Sequence, residues 1–139
     1  MKYDDIKWHL NAEYPKELES NRALTHIGMF MGWVIDKGFE GELLQKHFSK
    51  ELQEFKDRKI TGAEFLELCS DNKLVSEDLN AEANKFAEAY YASDKYIDDY
   101  VDLSDDNNET IFHEPDSWKK YEAVKKVINK RYEGWKQLR

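Results

Sequence analysis

From Leu24 to Ile35 the chain reads Leu-Thr-His-Ile-Gly-Met-Phe-Met-Gly-Trp-Val-Ile, with almost none of the polar positions that would mark a wet helical face. A helix that is apolar nearly all round has to be covered by other elements on most sides. The stretch therefore predicts a central helix over residues 22–37, with the rest of the chain packed around it. Asn21 offers an N-cap, Gly38 stands where a left-handed C-terminal residue is wanted, and Phe39 is placed to fold back on the last turn.

Elsewhere the periodicity is shorter-ranged. Residues 1–20 show no sustained period, and read as an irregular arm pinned by Tyr3, Trp8 and Tyr14. Leu43, Leu44 and Phe48, followed by Leu52 and Phe55, predict a short helix that restarts at Ser49. Thr61-Gly62-Ala63-Glu64 matches a capping box and opens a helix over 62–70 that buries Phe65, Leu66 and either Cys69 or Leu68. Ser76 or Asn80 caps the next helix, over 80–91, which buries Ala83, Phe86, Ala87 and Tyr90. Ser93-Asp94 then caps a further helix burying Ile97, Tyr100 and Val101, unless the two run on as one. Asp and Asn cluster in an acidic loop over 104–116, where Thr110-Ile111-Phe112 is the one segment fit for a short strand. Asp116 or Ser117 caps a final helix over 117–137, with Trp118, Tyr121, Val124, Ile128 and Trp135 on one stripe. The expected fold is all-α: a single-domain bundle of five to seven helices.

A chain of 139 residues fits one domain with a core of its own. The single cysteine, Cys69, excludes an internal disulfide and fits a reducing compartment. The opening Met1-Lys2-Tyr3-Asp4-Asp5 has no apolar signal region, and the central run is too short for a bilayer. A cytoplasmic protein is expected, with no membrane partner. The net charge of −8 argues against nonspecific nucleic-acid binding, which needs clustered Lys and Arg.

That charge is unevenly spread. Residues 94–109 hold Asp94, Asp98, Asp99, Asp102, Asp105, Asp106 and Glu109 against Lys95 alone, whereas residues 117–139 hold eight bases against Glu122 and Glu133. One reading makes the acidic block a docking surface for a basic protein, with Tyr96 and Tyr100 as anchors. The other has it face the basic final helix, or simply water. Calcium is disfavoured because the loop lacks the order and central glycine of an EF-hand.

Signatures of chemistry are sparse. The four histidines, His9, His26, His47 and His113, never fall at zinc-ligand spacing, so no metal and no cofactor is expected. His26 reads as a core histidine bonded to a carbonyl, with proton transfer involving His9, Asp4 and Asp5 as the alternative. Cys69 reads as packing. Gly28 and Gly32, four apart, allow Trp8 or another helix to approach closely. There is no phosphate-binding glycine loop and no nucleophile elbow.

Three pieces of sequence carry a resemblance: Lys2-Tyr3-Asp4-Asp5 with Trp8-His9, then Thr25-His26-Ile27-Gly28-Met29-Phe30 with Trp33, then Asn84-x-Phe86-Ala87-x-x-Tyr90-Tyr91. Together they resemble a family of small bacterial domains of unassigned activity, marked by YDD…WH and THIGMF…W motifs. The resemblance implies membership of toxin–immunity loci, and so a protein that binds and neutralises a cognate toxin. A basic nuclease is a natural target, because an acidic surface can occupy a groove built for phosphates. On this reading the chain is a binding protein without chemistry of its own, using Asp98, Asp99, Asp102, Asp105, Asp106, Glu109, Tyr96 and Tyr100. The alternatives are a regulatory adaptor, dimeric through Trp118 and Trp135, and a small enzyme using His9 and His26 with Asp4 and Asp5.

Overall fold

In the computed structural model, which describes residues 1–139, helix α1 (Thr25–Asp36) is buried from Thr25 through Ile35. It is covered mainly by α4 (Gly62–Cys69), α7 (Trp118–Leu138) and α3 (Ser49–Lys56), the last preceded by the short α2 (Glu42–His47). Helices α5 (Ala81–Tyr90) and α6 (Lys95–Asp102) pack on α7. One hydrophobic cluster of 30 buried residues runs from Tyr3 to Tyr132 and draws on almost every element. The fold is a mostly α bundle with one small β element.

The end of α1 is the one its residues dictate. Gly38 adopts φ +73°, and its N–H and that of Phe39 donate to the carbonyls of Ile35 and Val34, closing a Schellman cap. The start differs from expectation. Residues Ser20–Leu24 form a 3₁₀ turn whose backbone bonds satisfy the first donors, so Asn21 caps nothing and stays exposed. Gly28 serves the approach of a helix: it meets Gly62 and Ala63 so closely that a Cβ on either glycine would strike the other's backbone. The partner is α4, not Trp8, which is 52% exposed.

The caps at Thr61, Asn80 and Ser117 form as predicted, each side-chain oxygen accepting a backbone N–H of the first turn. Helices α5 and α6 are separate, divided by a turn in which Asp94 takes φ +69°. In α6 the buried stripe is Tyr96 and Tyr100, and Val101 points to water. Leu68 is likewise exposed, leaving Cys69 half-buried in α4.

The β element lies elsewhere than expected. Ile111–His113 is a 3₁₀ turn, because the Thr110 hydroxyl accepts from Phe112 N–H and no strand runs beside it. The sheet pairs β1 (Lys2–Asp5) antiparallel with β2 (Lys73–Val75), in the register Lys2 to Val75, Asp4 to Leu74 and Asp5 to Lys73. The step between Lys2 and Asp4 is irregular, so Tyr3, Asp4 and Asp5 are all buried in succession. The N-terminal arm is therefore ordered: a bulged strand, then a 3₁₀ turn at Ile6–Trp8.

Candidate functional site

The bulge in β1 turns the Asp4 side chain inward, and the 3₁₀ turn, capped by the Asp5 carboxylate on Lys7 N–H at 2.9 Å, swings His9 back toward it. His9 Nε2–H donates to Asp4 Oδ1 at 2.7 Å. From the first turn of α1, His26 places Nε2 3.4 Å from Asp4 Oδ2, close to it but without hydrogen-bond geometry. From the end of α5, Tyr91 donates its hydroxyl to the same Oδ2 at 2.5 Å. Asp5 N–H completes the carboxylate's partners at 2.8 Å.

The rings support one another. His9 meets His26 edge to face at a centroid separation of 4.9 Å, and Phe112 packs against both. Tyr96 donates to the His26 carbonyl at 2.5 Å, which ties α6 to the start of α1. A cleft of about 350 Å³ opens over the group, with Lys2, Trp8, Asp94 and Ile97 on its walls and His9 and His26 within it.

Electrostatics sort the protons. Burial pushes the Asp4 carboxyl up, but the adjacent His26 imidazole and the hydrogen bonds from His9 and Tyr91 outweigh it and hold the group well below the usual carboxylate range. Burial holds the His26 imidazole below its ordinary range despite Asp4 beside it. Burial, reinforced by Asp4, keeps the Tyr91 phenol protonated. At neutral pH the group is one carboxylate, a neutral buried imidazole and a phenol.

Of the residues expected to cooperate here, Asp4, His9 and His26 come together and Asp5 does not. Its carboxylate turns away to Lys2 Nζ at 2.8 Å. Tyr91 was not singled out for chemistry by spacing. The available signal was its place in one of the three sequence pieces described above, all of which meet at this point.

The acidic block is split by the fold. Asp99 is drawn inward, taking Arg131 of α7 through both oxygens at 2.9 Å and the Tyr90 hydroxyl at 2.6 Å. Tyr96 and Tyr100 are each 1% exposed, so neither is placed to anchor a partner. Asp98, Asp102, Asp105, Asp106 and Glu109 remain exposed without a salt bridge. The expected facing of this block onto the basic last helix thus occurs at Asp99 alone. Trp118 and Trp135 pack on Phe55 and Tyr121, and on Phe86 and Tyr132, leaving only part of each indole for any seam. Burial, with Glu51, Asp78 and Glu54 nearby, pushes the Cys69 thiol up to about 12, which suits packing rather than nucleophilic attack.

No helix is long and apolar enough to cross a membrane. A family model described as a domain of unknown function (DUF7832) matches residues 2–114, a span that includes Asp4, His9, His26, Tyr91 and the acidic block. No curated protein and no solved structure matches the chain.

Proposed function

The chain belongs to the DUF7832 family, and from that premise we propose that it is a binding protein of the immunity type, which neutralises a basic bacterial toxin by occluding it. The observation that carries the reading is the exposed run Asp98, Asp102, Asp105, Asp106 and Glu109 on α6 and the loop after it, none of them in a salt bridge. Five uncompensated carboxylates set a negative field that speeds encounter with a basic surface and selects against acidic ones. A nuclease, whose active site is basic to receive phosphates, is the favoured target class.

The test is growth of a bacterial host expressing the open reading frame adjacent to this gene, with and without this chain. Toxicity relieved by co-expression supports the reading, and killing that continues unchanged overturns it. Joint reversal of Asp98, Asp102 and Asp106 to Lys should then weaken the complex at least about tenfold, more at low salt than at high. Unaltered affinity in that variant removes this face from the interface.

A second reading, a small enzyme acting through His9 and His26 with Asp4, is supported by the cleft that reaches both imidazoles. Protection that survives His9→Ala in the co-expression assay would separate the two.

A further inference from the structure

Three groups of metal-ligating type, far apart in the sequence rules that describe zinc sites, converge in the fold. One oxygen of Asp4, one nitrogen of His9 and one of His26 lie within 4.8 Å of one another. We infer that Asp4, His9 and His26 form a binding site for a divalent transition-metal ion of the zinc type, held by one carboxylate oxygen and two imidazole nitrogens. This goes beyond the docking reading and does not rest on it.

The distances are close to what a metal requires. Tetrahedral zinc, with bonds of about 2.0–2.1 Å, sets its ligand atoms roughly 3.3 Å apart. His26 Nε2 already stands 3.4 Å from the Asp4 carboxylate. The 3.4 Å contact is to Oδ2, and His9 Nε2, 2.7 Å from the other oxygen, Oδ1, has to swing toward Oδ2. It has the freedom to do so, since its side chain is 25% exposed and sits just after a single 3₁₀ turn. The proton now on His9 Nε2 leaves to Nδ1 or to solvent as the ion takes its place.

A second observation is independent of the clustering. His26 is 2% exposed, and its Nε2 has no hydrogen-bond partner. A buried polar atom left unpaired is costly, and native folds seldom tolerate it without a reason. A purely structural network would have spent this nitrogen on a donor or acceptor, and here it is aimed at the carboxylate and the cleft instead.

The surroundings have the form of an outer shell. Tyr91 and the Asp5 N–H hold the two carboxylate oxygens in orientation, as partners behind metal ligands do. Two imidazoles and one carboxylate with an open side facing a cleft match transition metals, whereas magnesium and calcium prefer all-oxygen sites. The exposed Glu17 and Glu109 also gather with the half-buried His113. Both nitrogens of His113 are taken, by Glu17 and by the Thr110 hydroxyl. It serves as the control.

The experiment uses the full chain, stripped with chelator, titrated with Zn²⁺ by calorimetry and with Co²⁺ by visible absorption. One ion per chain, a higher melting temperature with Zn²⁺ and the visible bands of low-symmetry cobalt are expected. Losing even an outer-shell partner costs roughly 10- to 100-fold in affinity, so His9→Ala should cost at least about 100-fold and Tyr91→Phe about 10-fold. His113→Ala should bind as the parent does. His9 carries the test because it is partly exposed and its variant keeps the core, checked by circular dichroism. Absence of binding by the parent chain, or equal binding by the parent and His9→Ala, overturns the site.

Discussion

Arg58 grips Asp36 with both terminal guanidinium nitrogens, Nη1 at 3.2 Å from Oδ1 and Nη2 at 3.1 Å from Oδ2. The pair ties the end of α1 to the turn after α3, where Arg58 itself holds φ +61°. Tyr121 and Lys125 of α7 converge on the same carboxylate at 2.5 and 3.2 Å, so three elements are joined at one charge.

That convergence sets an acid limit on the fold. Burial alone would raise the Asp36 carboxyl, but the hydrogen bonds from Arg58, Tyr121 and Lys125 outweigh it and hold the group below its ordinary 3.8. A carboxylate lowered in this way adds stability that is full above its unfolded value and is lost as pH falls through the folded one. The share of the urea midpoint that Asp36 supplies, read as the parent minus Asp36→Asn, should therefore stay level from pH 7 to about 5 and decline below about pH 4. Asp36→Asn should remove its share of that decline, and an unchanged acid slope in the variant would refute this assignment.

Two glycine substitutions should move stability in opposite directions. Gly28→Ala drives a methyl into the Ala63 backbone, which has no side-chain rotamer to yield, and should cost more than about 3 kcal/mol or abolish folding. Gly134→Ala lies on the exposed face of α7 with nothing within 4 Å of its added carbon. It should gain roughly 0.5–1 kcal/mol from helix propensity. Thermal melts of the two variants settle the contrast, and similar signs would mean that α1 and α4 are less tightly engaged than their geometry requires.

The acidic face should separate into structural and free carboxylates. Asp99→Ala strands Arg131 and leaves the buried Tyr90 hydroxyl without its acceptor, which should cost about 1–3 kcal/mol. Asp98→Lys and Asp102→Lys, both exposed and without salt bridges, should each change stability by less than about 0.5 kcal/mol. Denaturant curves measure both. A large loss in either lysine variant would place that carboxylate in the fold rather than on a free surface.

Tyr91→Phe tests the network around Asp4 as a stability element. The hydroxyl and its acceptor are both buried, so removing the donor should lower the unfolding free energy by about 1–3 kcal/mol. A neutral effect would show that water replaces the phenol.

Much of the architecture was legible because its signals are local. The capping box at Thr61 and Glu64, the Asn80 and Ser117 caps and the Gly38 terminus each lie within a few residues of what they control. The strand at Lys2–Asp5 was not legible, since its bulge buries three residues in a row and erases the alternation by which a strand is recognised. Its partner stands some 70 residues away, at Lys73–Val75, too short to announce itself. The candidate site was legible in part: Asp4, His9 and His26 were expected together, but neither Tyr91 nor the metal-ligand type of the cluster was, for a related reason. Spacing rules for metal ligands assume neighbours on one helix or hairpin, whereas Asp4 and His9 meet His26 from α1 and Tyr91 from the end of α5. In α6 the difficulty was rotational. Tyr96 and Tyr100 turn inward onto α1 and Asp99 meets Arg131 on α7, contacts with residues distant in the sequence.

The same bulged strand gives the site an unusual mechanical character. Asp4 and His9 ride on residues 2–9, while His26 and Tyr91 belong to the packed helices, so the group is assembled from two halves carried by different parts of the fold. β1 is held by its short partner strand, by Ile6 N–H on Asn72 O at 3.0 Å, by the Tyr3 hydroxyl on Asn84 Oδ1 at 2.7 Å and by the burial of Tyr3 and Ile6 in the core. Lifting it would remove both groups at once and uncover Tyr3 and Ile6 with them. Any occupant that bridges the two halves therefore acts as a latch on the amino terminus, and amide exchange at Asp5 and Ile6 becomes a direct gauge of its residence.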